Sequence, residues 1–149
     1  RIIKIKGLEK KFSNLILMFQ KELGEKIMGK FPSKNYGRLS IISNYKLNFI
    51  KNFLVSSNCF FPKPKVTSMV IHFGILKKNK IKINKISNLE KITNIFFSNK
   101  RKMINKSIKK IFNKKDLVKI EKLKLNLNLR PEKLKPEMFY KITELYEKE

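Results

Sequence analysis

Phe60-Phe61-Pro62-Lys63-Pro64-Lys65-Val66-Thr67-Ser68 is the stretch of this 149-residue chain whose residue types and spacing could do chemistry. Two prolines at alternate positions fix their own φ angles, push the residues before them toward extended backbone, and remove two amide donors. Aromatic rings precede the prolines and two lysines interleave with them. A π face and cations on a stiff backbone suit a flat, anionic target, which is a nucleotide. From the residues alone, the reading of Phe60 as a core aromatic is the favoured one. Lys63 and Lys65 could reach phosphate or simply be solvated.

Other site chemistries find little material. The chain has one cysteine, Cys59, and one histidine, His72. A structural zinc site takes about four Cys or His ligands, and a disulfide framework takes paired cysteines, so no metal and no internal disulfide are expected. Cys59 is expected in an apolar wall rather than as a nucleophile. His72 lies in the strand-like run 66–73 and is expected on a sheet surface rather than as a general base. A single cysteine fits a reducing, cytoplasmic setting. No apolar run reaches the length of a membrane span, so no membrane partner is expected.

The formal net charge of +25 points to a polyanion, most simply nucleic acid. A second source of charge competes with it. Four basic residues are arginine (positions 1, 38, 101 and 130), the rest are lysine, and alanine is absent. That skew also follows from an A+T-rich genome choosing A/T-rich codons. Where the lysines sit is therefore more informative than their number.

The elements that must position these residues are legible in the spacing. Leu15–Phe19 is a short continuous apolar run, which suits a strand buried on both faces, as in a parallel sheet. A helix is expected over 20–28, with Leu23 and Ile27 inward and Gly29 as its C-cap. Pro32, Ser33, Asn35 and Gly37 mark a loop. A further helix is expected over 38–46, with Leu39, Ile42 and Tyr45 inward. Strands are expected over 49–55 and 66–73, the second rich in β-branched residues, with the proline stretch between them as a rigid mount. Composition shifts after Phe73. Residues 77–85 read as a lysine-rich linker or weak edge strand, placing a domain boundary between 76 and 77.

Beyond it the pattern is helical. Ser87 or Asn88 is expected to cap a helix with the stripe Leu89, Ile92 and Ile95/Phe96. In a helix over 100–112, Ile104, Ile108, Ile111 and Phe112 repeat at i, i+4, i+7, i+8. Lys102, Lys106, Lys109 and Lys110 repeat that spacing displaced by two residues, about 200° of rotation, so the apolar and basic stripes lie on opposite faces. Asp116 is a candidate cap for a short helix containing Leu117, Val118 and Leu123. Leu123, Leu125, Leu127 and Leu129 alternate like a strand, and a final helix follows Pro136 in its first turn, with Met138/Phe139, Ile142 and Leu145/Tyr146 inward.

Five segments, in order, carry a resemblance to the adenine N6-dimethyltransferases of small-subunit ribosomal RNA. Met18-Phe19-Gln20-Lys21-Glu22 resembles that family's M-x-Q-K-E segment. Tyr36-Gly37-Arg38-Leu39-Ser40 matches its Y-G-R-L-S loop, and 60–68 matches its F-x-P-x-P-K-V motif. Phe97–Lys102 resembles its F-x-Q-R-R-K, with Asn99 for Gln and Lys100 for Arg. Leu129–Leu134 resembles its L-R-P-E-x-L tail, which favours a loop rather than a strand there. Lys106 departs from the family's usual Asn.

The resemblance implies an α/β fold: the C-terminal strands of a Rossmann-like methyltransferase sheet over 1–76, then a small all-helical, rRNA-binding domain over 77–149. It implies transfer of methyl groups from S-adenosylmethionine to two adjacent adenines of small-subunit rRNA during ribosome biogenesis. The family's Gly-rich donor turn and N-L-P-Y motif are not found in this sequence and would precede Arg1. The chain is thus expected to be a C-terminal portion, inactive alone, with no donor site of its own. Phe60 would stack on the target adenine, with Pro62 and Pro64 setting its backbone. Tyr36, Arg38, Lys63, Lys65, Lys100, Arg101, Lys102, Lys106, Lys109 and Lys110 would face RNA, and Gly37 would supply an unusual backbone angle. The expected partner is rRNA in a pre-30S particle, bound by a monomer. Two other readings stand beside this one: a related large-subunit rRNA adenine methyltransferase of the antibiotic-resistance type, and a non-catalytic RNA-binding or ribosome-assembly module.

Overall fold

A computed structural model describes residues 8–77, 79–121 and 123–148. The chain divides into two compact units, Arg1–Asn79 and Lys80–Glu149.

In the first unit, the apolar run at 15–19 forms strand β1 (Asn14–Gln20), but not one buried on both faces. Burial alternates along it, leaving Ile16 and Met18 exposed while Leu15, Leu17 and Phe19 pack against the core. It pairs antiparallel with β3 (Ser68–Ile75), which pairs antiparallel with β2 (Leu47–Val55), giving the order β1-β3-β2. The expected parallel neighbour is replaced by one arm of a hairpin. A continuous apolar run cannot distinguish these cases, because a strand with two apolar faces reads the same whichever is covered. A bulge shifts the register between Phe49 and Lys51, leaving Ile50 unpaired. Ile50 then lies over Gly74, where an added Cβ would stand 3.3 Å from its Cδ1.

One sheet face is covered by helices. Leu8 of α1 (Leu8–Lys11) and Ile27 of α2 (Lys21–Met28) join Leu47, Met69, Ile71 and Phe73 in one buried cluster. Leu23, expected inward, is exposed, and Gly24 takes the buried position. A Cβ at Gly24 would meet Met69 Sδ at 2.9 Å, so the missing side chain lets helix approach sheet. Gly29 does follow α2, with φ −49° rather than a left-handed angle. Its need for glycine is steric, since a Cβ would fall 2.2 Å from the Asn35 carbonyl oxygen. In α3 (Arg38–Lys46) the buried set is Ser40, Ile41, Ile42, Ser43 and Tyr45, whereas Leu39 is exposed. Residues 76, 77 and 79–85 form no strand.

The second unit is helical: α4 (Ile86–Ser98), α5 (Ile104–Ile111), α6 (Lys114–Glu121) and α7 (Pro136–Tyr146). Leu89, Ile92 and Phe96 of α4 meet Phe139 and Ile142 of α7 in the core, with the Phe96 and Phe139 rings edge-to-face at 5.4 Å. Thr93 and Thr143 are fully buried, and each hydroxyl donates to the carbonyl four residues back at 2.7 Å. Ser87 and Asn88 fall inside α4 rather than capping it. The two residues leading into it are held by the Glu147 carboxylate, which accepts from the Asn84 and Lys85 amides at 2.6 and 2.8 Å and from the Asn88 Nδ2 side chain at 3.0 Å. That negative group sits where the helix dipole favours it. Asp116 lies within α6, and its side chain falls outside the described residues. Among the described residues of 123–130 there are turns and no strand.

Candidate nucleic-acid interface

Each side of the proline stretch is pinned. Val55 ends β2 opposite Ser68, the first residue of β3, and Gln20 at the end of β1 also pairs with Ser68. The Lys21 amide, opening α2, donates to the Thr67 carbonyl at 3.0 Å. The Gln20-Lys21-Glu22 segment and the end of the proline stretch, 48 residues apart in sequence, therefore share one end of the sheet.

Inside the connector, Ser56 caps a single 3-10 turn, Ser57–Cys59. Its Oγ accepts from the Asn58 amide at 3.2 Å, and its carbonyl accepts from the Cys59 amide at 3.1 Å. Cys59 is exposed on that turn, not set in an apolar wall. Phe60 follows in extended conformation, φ −124° and ψ 147°, and is half-buried. Phe61 is wholly exposed, at 102% of its reference area. Lys63 and Lys65 are exposed and Pro64 is half-buried. Residues 56–68 contain no acid and no histidine. The titratable groups of the connector are the Cys59 thiol and the Lys63 and Lys65 amines. His72 stands on the sheet face, half-buried, with Nε2 2.8 Å from Asn14 Oδ1.

The Tyr36–Ser40 loop is built differently. Tyr36 is buried, 8% exposed, with its ring edge-on to Phe31 at 5.3 Å. The ring is turned into the protein, which corrects the expectation that Tyr36 faces RNA. Gly37 has φ 173°, extended backbone open to any residue, so the expected unusual angle is absent. Ser40 Oγ donates to the Gly37 carbonyl at 2.9 Å and accepts the Gly37 amide at 3.1 Å, holding the start of α3 and leaving Arg38 exposed.

The second unit carries the remaining cations. The helix expected over 100–112 starts later, at Ile104. Lys100, Arg101 and Lys102 lie in the preceding turn, closed by the Lys102 amide donating to the Asn99 carbonyl at 2.8 Å. All three are exposed, as are Lys106, Lys109 and Lys110 on α5. Ile104, Ser107 and Ile108 are buried, so the opposed stripes read from the sequence are present over the helical part. The first amides of α5 find carbonyl acceptors: Ile104 N–H donates to Leu129 at 2.9 Å and Asn105 N–H to Leu127 at 3.2 Å. The leucine-rich segment thus caps the basic helix. Behind α5, a cavity of about 230 Å³ is lined by Ile108, Leu117, Ile120, Leu125 and Leu127 with Lys109 at its edge. The alternating leucines gave no hint of it, because their partners come from α5 and α6.

Gly24, Gly29 and Gly74 each face protein atoms within 3.3 Å of a would-be Cβ, so these three glycines serve close packing. Among the described residues no group of three or more His, Cys, Asp or Glu could hold a metal, and no helix is long and apolar enough to cross a membrane.

A family model described as ribosomal RNA adenine dimethylase matches residues 2–148. The ribosomal RNA small subunit methyltransferase A of Pelagibacter ubique is 44% identical over 137 residues, 91% of this chain and 51% of that protein. The protein of the same name from Wolbachia sp. subsp. Drosophila simulans is 40% identical over 128 residues, 86% of this chain and 46% of its own length. Among solved structures, a dimethyladenosine transferase from Plasmodium falciparum aligns over 98% of this chain and 59% of its own, with a TM-score of 0.75 and 24% identity, a likeness of fold. The chain spans about half the length of the curated relatives it matches.

Proposed function

Because the chain belongs to the ribosomal RNA adenine dimethylase family, we propose that it forms the target-adenine and RNA-binding part of an enzyme that dimethylates two adjacent adenines of small-subunit rRNA. The observation that carries this reading is Phe60, partly open on a connector stiffened by two prolines at one end of the sheet. S-adenosylmethionine is the methyl donor of the proposed reaction, and the proposal assigns its binding to another part of the enzyme.

Within this chain the work is positioning. An adenine amine inside a duplex is out of reach, so the base leaves its stack, at a cost of a few kcal/mol. Phe60 supplies a replacement stack worth about 1–3 kcal/mol. Pro62 and Pro64 hold the ring's backbone before RNA arrives, and alignment of the amine is the part of the barrier this half can lower. Lys63 and Lys65 meet the adjacent phosphates. Arg38, Lys100, Arg101, Lys102, Lys106, Lys109 and Lys110 hold the flanking rRNA in a pre-30S particle by counterion release.

The test separates the two halves of the reading. In calorimetry the 149-residue chain shows no binding of S-adenosylmethionine, and in filter binding it prefers an rRNA hairpin with unpaired adenines over a plain duplex. Micromolar donor binding would overturn the division of labour. No preference for the hairpin would overturn the RNA-binding role.

A further inference from the structure

We propose that Phe61 is a second stacking platform, which holds the unpaired nucleobase next to the one taken by Phe60. This rests on the RNA-binding reading above and names a site within it. The backbone at Phe60 is extended, and the two rings stand in different surroundings. Phe60 is turned partly into the protein and Phe61 wholly out. With one ring half-buried and the other bare, each is given its own base.

Phe61 stands apart from the other exposed apolar side chains. Among the described residues the next most exposed large hydrophobic side chain is Ile16, at 69%, and it lies on a sheet strand. Phe61 contributes no burial to the fold, so its ring has no packing reason to be aromatic. Its mount is nevertheless stiff: a capped 3-10 turn precedes it, Pro62 and Pro64 follow, and paired strand ends close both sides. Lys63 and Lys65 are the charged groups of residues 56–68, and both are exposed. A bare ring with cations beside it and no acid in the segment matches a base and its phosphate. An apolar pocket on a protein would be met by the ring but not by the lysines.

The chain contains no tryptophan, so Phe61→Trp introduces a unique fluorophore at the site. Titrated with short single-stranded oligoadenylate, the introduced indole is expected to quench strongly and saturably. A strand of abasic residues with the same phosphates is expected to bind without quenching it. Phe61→Leu keeps an apolar side chain but loses the π face. It is expected to weaken oligoadenylate binding by roughly 5- to 100-fold, with the salt slope unchanged and no effect on abasic binding. Because residue 61 is fully exposed, both variants should keep the native circular dichroism. If oligoadenylate binds but the indole is not quenched and Phe61→Leu binds as tightly as the parent, Phe61 is no base platform and the RNA-binding reading survives. If the parent chain binds no RNA at all, both fall together.

Discussion

The connector at 56–68 and the basic helix α5 both present lysines to solvent, yet they are made rigid in opposite ways. The connector is stiffened by its own residues: Ser56 caps the turn, and Pro62 and Pro64 fix the chain that follows. Helix α5 is aimed by residues far off in sequence, since its first amides donate to the carbonyls of Leu127 and Leu129. Its neighbour α4 likewise depends on Glu147, about 60 residues away. The connector carries an exposed ring; the exposed positions of α5 include lysines at 106, 109 and 110. Holding a base requires a ring at a set angle, which local stiffness supplies. Holding a phosphate backbone requires charges at set intervals, which a helix supplies with looser angular demands.

The largest expected effect separates the two modes. Changing Lys102, Lys106 and Lys109 together to Glu should weaken rRNA hairpin binding by roughly a hundredfold at low salt. It should also reduce the salt slope by about 2–3, because each lost phosphate contact removes about 0.7–0.9. Filter binding across a salt series reads both, and an unchanged slope would remove α5 from the interface. Phe60→Leu comes next. It should lower affinity for a hairpin with unpaired adenines by about 1–3 kcal/mol while leaving the slope alone. If it altered the slope instead, ring and helix would not be doing different jobs.

What could be read from the sequence follows the same line. The connector's stiffness was legible because prolines and an aromatic carry their consequences in the backbone. The stripe on α5 was legible because 3.6-residue spacing fixes which side chains share a face. Helix starts were not. Lys100–Lys102 continue the basic pattern, but the helix begins at Ile104. Ser87 and Asn88 are good cappers by type, yet both fall inside α4, and Glu147 holds the residues leading into it. The direction of β1 and the inward turn of Tyr36 were hidden for the same reason: each is decided by a partner remote in sequence. Local backbone geometry was readable where residue types act on their own chain, and orientation was not where the third dimension supplies the neighbour.

Glu147→Gln tests the remote kind of support. It removes the charge facing the first turn of α4 while keeping an oxygen that can accept. The helical unit should lose about 1 kcal/mol of stability, seen as a lower denaturant midpoint. Amide exchange at Asn84 and Lys85 should quicken with it. Unchanged exchange at those two amides would mean the carboxylate is an ornament of the surface and that α4 is held by its core stripe alone.

Ser56→Ala tests the local kind, and its effect should be the smallest. The substitution deletes one acceptor, the Oγ that meets the Asn58 amide at 3.2 Å. The turn keeps its two backbone bonds, Cys59 to Ser56 at 3.1 Å and Phe60 to Ser57 at 3.3 Å. The freed Asn58 amide is exposed and can turn to water. The loss should therefore sit at the low end of capping energies, about 0.5 kcal/mol. If the prolines hold the rings, hairpin affinity should fall by less than about threefold with no change in salt slope. A loss as large as that of Phe60→Leu would shift the origin of the connector's stiffness from the prolines behind the rings to the turn ahead of them. Pro64→Ala, which frees the following backbone but leaves that turn intact, should then be the weaker of the two.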